Sequence, residues 1–211
     1  TEQTRTKFDY ARLVTGSLAY VSLWKHDRVQ VTPFGTQLGD AFGPFQGRSH
    51  AGRLISFLSD LGTVGRTDLS HAIQKCSDIK RQPAMIFIVS DLISGEPDQL
   101  KGALHHLRLR GWEVTVIHII DPAELHPGPS LPRQNDLRPM TMILTESESG
   151  HQLTLTPTDD VLHRYGLAIE KWLHHIQRVC DEESTTYIPL HTDWPFESLV
   201  LTRLYESGVV A

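Results

Sequence analysis

Two apolar runs of strand length, residues 84–89 (AMIFIV) and 113–120 (EVTVIHII), are separated by a single helical stretch, about 97–110, that Gly111 ends. A strand, a helix and a second strand in this order form a crossover unit, and such a unit requires the two strands to run parallel. Parallel strands are covered on both faces, which is why they read as unbroken apolar runs rather than alternating ones. The first run passes directly into Ser90 and Asp91, so a strand that looks fully buried ends on a carboxylate. Helices alternating with such strands predict an α/β fold: a doubly wound, mostly parallel sheet with helices on both faces, whose ligands bind beyond the carboxyl ends of the strands. Asp91 stands at that rim, with its charge toward a crevice.

The remaining elements fit around this unit. Residues 8–25 place Tyr10, Val14, Leu18 and Val21 on one helical face, and 28–34 alternates as a strand, with a hairpin partner expected in 37–45. Residues 50–61 repeat apolar positions at Leu54, Ile55, Leu58 and Leu61, and after Gly62 and Gly65 a further helix is expected to begin at Thr67. Residues 122–139 carry several prolines and read as an irregular excursion. A hairpin turning at SESG is expected over 140–156, then a helix over 159–180 with Leu162, Tyr165, Ile169, Leu173 and Ile176 on one stripe, the strand TTYIPL and a last helix over 195–205.

Composition removes several function classes. A net charge of -5 gives no general attraction to nucleic acid or anionic membranes. Cys76 and Cys180 lie far apart with no CxxC partner, so reduced thiols in a cytoplasmic setting are expected. No run approaches the roughly 18 apolar residues of a membrane span. The pairs His105–His106 and His174–His175 point about 100° apart on a helix and do not chelate alone. Ser70 and His71 are adjacent, which is wrong for a nucleophile and its base, and GTVGRT lacks the lysine of a phosphate loop. Asp121, Glu124, Asp159 and Asp160 read as helix-capping residues, and the four tryptophans as core or rim.

The stretches KFDYARLVTGSLAYVSLWKHDRVQVTPFG, GRTDL, AMIFIVSDL, the strand into IIDPAEL and the ending YIPLHTDWPFESLV stand in an order that resembles a von Willebrand factor A-type domain. More narrowly, the chain resembles the uncharacterised bacterial family of such domains that accompanies MoxR-type AAA+ ATPases. The resemblance implies one domain over residues 1–211, and a metal-ion-dependent adhesion site in which Thr67 and Asp91 are metal ligands. The DxSxS motif of that site has no match, so the resemblance also implies a domain truncated at its N-terminus, lacking its first central strand, with an incomplete site. Magnesium is the expected ion, because hydroxyl and carboxylate oxygens are hard ligands.

The function expected from this reading is non-enzymatic: a protein–protein interaction module, an adaptor working with a MoxR-type ATPase, or on a client protein, in protein assembly or maturation. The alternative is a phosphoryl-transfer or receiver-type regulatory domain centred on Asp91. Three structural expectations follow. Thr67 and Asp91 should converge at one edge of the sheet. Strands 28–34 and 84–89 should not pair. Asp91 should lack a basic partner, since FIVSDLISGE contains no Lys or Arg.

Overall fold

The computed structural model describes residues 6–62, 67–79, 82–93, 97–125, 142–145, 152–155, 158–195 and 202. Helix α1 (Lys7–Trp24) leads into the strands β1 (Arg28–Val31) and β2 (Phe42–Gln46); a single 3-10 turn (Arg48–His50) then opens α2 (Ala51–Asp60). Next come α3 (Leu69–Ile79), β3 (Met85–Ser90), α4 (Pro97–Leu109), β4 (Glu113–Ile120) and the one-turn α5 (Pro122–Leu125). A hairpin of β5 (Met142–Thr145) and β6 (Gln152–Leu155), the long α6 (Asp159–Glu182) and β7 (Thr186–His191) complete the series.

Local chemistry sets several of these ends. Thr6 caps α1 in a reciprocal box: its hydroxyl accepts from the Asp9 N–H at 3.1 Å, and the Asp9 carboxylate accepts from the Thr6 N–H at 3.2 Å. Arg12 reaches from α1 to the carbonyls of Leu58, Ser59 and Leu61, which satisfies orphan acceptors at the end of α2. Thr158 caps α6 through the Val161 N–H. Asp159 and Asp160 occupy the first turn of α6, where negative charge suits the helix dipole. Asp68, not Thr67, caps α3: its Oδ1 accepts from the His71 N–H at 2.9 Å. The helix therefore begins later than the sequence suggested, because Asp68 rather than Thr67 stands in capping register.

β3, β4 and β7 form a three-stranded parallel sheet in the order β3–β4–β7, with Ser90 opposite His118 and Ile120 opposite His191. Its faces alternate. Val114 and Val116 of β4 pack with α3, α4 and α6, while Ile117 and Ile119 pack with Tyr10, Val14 and Leu18 of α1. Helices thus cover both faces. β4 is buried from Val114 to Ile120, as a strand paired on both sides should be. β3 departs from the expectation of complete burial: Ile88 is buried but Met85 is half exposed. Among the described residues β3 pairs only with β4, and an apolar run does not reveal which strand stands at the edge.

β1 and β2 make a separate antiparallel ribbon and do not pair with β3. The second strand begins at Phe42, later than the sequence pattern indicated, because residues 34–38 close a small loop of their own through a bridge between Phe34 and Leu38. α1 joins the two sheets. Its first half lies on the parallel sheet, and Ala19 and Leu23 in its second half pack with Val29, Phe42, Leu54 and Leu58. Among the described residues no helix is long and apolar enough to cross a membrane. The hairpin expected over 140–156 is present as an antiparallel pair, Met142 opposite Leu155, while the turn at SESG, most of the excursion over 122–139 and most of the last helix over 195–205 lie outside the described residues.

Candidate functional site at the carboxyl rim of the sheet

Asp91 is the first residue beyond β3, and the chain turns sharply there. The Ser90 hydroxyl accepts from the Leu92 N–H at 3.1 Å, and Asp91 Oδ1 accepts from the Ile93 N–H at 3.4 Å. Leu92 adopts a left-handed conformation, φ 57°, with its side chain buried. Such a backbone is unfavourable for a branched residue by about 1 kcal/mol or more, so the packing of Leu92 holds the turn in place.

Asp91 carries a cation. Lys7, the first residue of α1, places its Nζ 2.7 Å from Asp91 Oδ2 and 2.6 Å from Glu124 Oε1. This corrects the expectation of an unpaired carboxylate, since the partner comes from 84 residues away. A lysine in the first turn of a helix opposes the helix dipole, and two carboxylates, Asp91 just beyond β3 and Glu124 in α5, offset that repulsion. Burial works to lower the Lys7 pKa, but its hydrogen bonds to Asp91 and Glu124 and their charges outweigh this and raise it above 10.5. A folded-state pKa raised in this way stabilises fully below the unfolded value and is lost only as pH rises beyond it, so the bridge holds throughout neutral pH. Tyr165 of α6 ties into the same corner by donating to the Glu124 carbonyl at 2.8 Å.

Behind the rim lies a buried polar chain. His118 of β4 places Nε2 2.9 Å from the Asp91 carbonyl and Nδ1 2.7 Å from the Tyr187 hydroxyl, with the Trp172 ring edge-on at 5.4 Å. Only 1 % of His118 is exposed. Burial pushes its pKa down to about 4, against smaller raising effects from the Asp91 carbonyl and carboxylate, so the ring is neutral at pH 7. A carbonyl can only accept, which fixes the proton on Nε2 and makes Nδ1 the acceptor for Tyr187. Burial raises the Tyr187 pKa, so its hydroxyl keeps the proton it donates. At the end of β7, His191 stacks on Trp194 at 4.7 Å, and the Tyr10 hydroxyl donates to the Trp194 carbonyl.

Residues 1–169 match a protein family described as "Protein of unknown function DUF58". The chain belongs to the DUF58 family. No curated protein and no solved structure matches it. The family match covers α1 through the first half of α6, and so includes Lys7, Asp91, His118 and Glu124 of the rim; Tyr187, His191 and Trp194 follow it.

In this DUF58 chain the two residues expected to hold magnesium are placed differently. Asp91 stands at the rim. Thr67 lies one residue before the Asp68 cap of α3, and among the described residues no hydrogen bond joins it to Asp91. Asp91 Oδ2 accepts from Lys7, and the described residues contain no group of three or more His, Cys, Asp or Glu side chains that could hold an ion. Asp121 caps α5 as expected, by accepting from the Ala123 N–H at 2.9 Å. Glu124 was expected to do the same and instead binds Lys7. His118, Lys7 and Tyr187 were not singled out, although a basic residue at a helix start and a lone histidine inside an apolar strand each demand a partner.

The bridge makes a measurable prediction. Lys7→Met should leave Asp91 and Glu124 facing each other without a counter-charge and lower stability by about 1–2 kcal/mol, a range set by its partial exposure. A double-mutant cycle of Lys7→Met with Asp91→Asn, read by urea denaturation, should return a coupling of at least about 0.5–1 kcal/mol. Additive single effects would show that the bridge contributes nothing.

Proposed function

We propose that the chain is a non-enzymatic protein-interaction module of the cytoplasm, an A-type adaptor that works with a MoxR-type AAA+ ATPase in assembling or maturing a client protein. The observation that carries this is the rim itself. A rigid sheet edge presents partly exposed charges, Asp91, Lys7 and Glu124, suited to docking a polar partner surface, and the choice of partner rests on the resemblance. Within this reading the ribbon and the parallel sheet belong to one doubly wound A-type sheet. That β3 pairs only with β4 among the described residues, and that α1 packs on both units, support that reading. Magnesium at Thr67 and Asp91 would serve such a contact only if Asp91 exchanged Lys7 for the ion.

Pull-down of the ATPase by wild-type protein and by Asp91→Asn, with and without magnesium, tests the proposal. Loss of capture in a variant that melts within a few degrees of wild type supports it, whereas unchanged capture removes the rim from the interaction. One observation speaks for the phosphoryl-transfer alternative, a lysine beside a strand-end aspartate. Both Asp91 oxygens already accept hydrogen bonds, however, from Lys7 and from the Ile93 N–H. Incubation with acetyl phosphate should therefore leave the intact mass unchanged; a gain of one phosphoryl group would overturn the interaction reading.

A further inference from the structure

α1 carries the rim lysine at one end and a different kind of surface at the other. Its 18 residues set the two roughly 25 Å apart at 1.5 Å per residue. At the far end Trp24 is 53 % exposed and Tyr20 44 % exposed, with their rings 6.1 Å apart. The Arg48 guanidinium lies 5.2 Å from the centre of the Trp24 ring, and that of Arg53 lies 4.4 Å from the Phe45 ring. Trp, Tyr and Arg are the residues that dominate protein interfaces, and here they are held together by α1, β2 and α2.

The charge of this end opposes that of the chain. Residues 24–28 and 45–53 hold four basic side chains, Lys25, Arg28, Arg48 and Arg53, against one acidic, Asp27, in a protein of net charge -5. Among the described residues Arg48 and Arg53 form no ion pair. A guanidinium stacked on an aromatic ring is already oriented and keeps its in-plane N–H groups for a carboxylate, which it binds in bidentate fashion. The exposed ring faces of Tyr20 and Trp24 can take the apolar stem of a neighbouring side chain.

We propose that this aromatic and arginine surface is a docking site for a short acidic segment of a partner protein, independent of the Asp91 rim. A short peptide is favoured over a membrane or a nucleic acid because those are extended polyanions. They would meet the negative remainder of the protein, whereas a peptide touches only the basic end.

The test uses a fluorescein-labelled twelve-residue peptide of glutamates with two leucines, titrated in anisotropy measurements at 50 and 500 mM NaCl. Saturable binding that weakens with salt is expected, with a loss of about tenfold or more in Arg48→Glu/Arg53→Glu and in Trp24→Ala. Those side chains are exposed or half-exposed, and circular dichroism confirms that each variant is folded. Asp91→Asn should bind the peptide as wild type does, so failure here and failure of the rim proposal are separable. Absent binding at millimolar peptide, equal binding by the double variant, or tighter binding to phosphatidylserine vesicles or single-stranded DNA through the same residues would each overturn the proposal.

Discussion

Acidification from pH 7 to pH 4 should remove roughly 3 kcal/mol of stability through one side chain, His118, whose pKa burial holds near 4 against an ordinary value of 6.5. The unfolded chain takes up a proton at this histidine as the pH falls through 6.5, and the folded protein refuses it until about pH 4. Over that window the unfolded state binds more protons, so stability declines as pH falls, and below it the loss is complete. The neighbouring charges oppose one another: the Asp91 carboxylate favours protonation, while Lys7 and His191 disfavour it, and burial exceeds them all. Other groups titrate in the same range, so the informative quantity is the difference between wild type and His118→Gln in urea melts at several pH values. The variant should be less stable at pH 7 and show a shallower slope between pH 6.5 and 4. Parallel slopes would mean that His118 is protonated in the folded protein as readily as in water.

Gly43→Ala should be the most damaging single-methyl change in the described chain, costing more than about 3 kcal/mol. Gly43 has φ 89°, and a Cβ built there would lie 2.4 Å from the Val29 carbonyl oxygen and 2.9 Å from the Phe45 nitrogen. Both obstacles are backbone atoms, one in β1 and one further along β2 itself, so relief requires β1 to move away and β2 to change its own course. Gly102→Ala, in the middle of α4 with open space around it, is the control. It should be neutral or stabilise by about 0.5–1 kcal/mol through helix propensity. Thermal melts of the two variants side by side check the prediction, and equal melting temperatures would refute the steric argument.

Those elements whose cause is local were legible in the sequence. The crossover from β3 through α4 to β4 followed from two apolar runs and a helix ended by Gly111, and α1 and α6 followed from their apolar stripes. What depends on pairing was not legible. The run 84–89 has the composition of a central strand, but its exposure depends on whether one neighbour or two lie beside it. Tyr165, placed on the apolar stripe of α6, is 39 % exposed, and its hydroxyl binds the Glu124 carbonyl instead of packing into the core. The rim was half visible: Asp91 could be found from its position at a strand end, whereas Lys7 is brought to it only by the packing of α1. Thr67 and Asp68 are both favoured caps, and only the turn geometry chooses between them.

The division of α1 between two sheets determines how the molecule comes apart. A two-stranded ribbon is marginal on its own, and the only apolar cover described for β1 and β2 comes from α2 and the second half of α1. The ribbon with α2 therefore forms the weaker cooperative unit, opening at a lower free energy than the parallel sheet. Its amides should exchange with deuterium earlier than those of β4, which is sealed between two layers of helix. When it opens, Ala19 and Leu23 lose their cover while Tyr10, Val14 and Leu18 keep theirs. The helix then frays from its Trp24 end toward Lys7, so the acidic-segment surface is lost before the Asp91 bridge lets go.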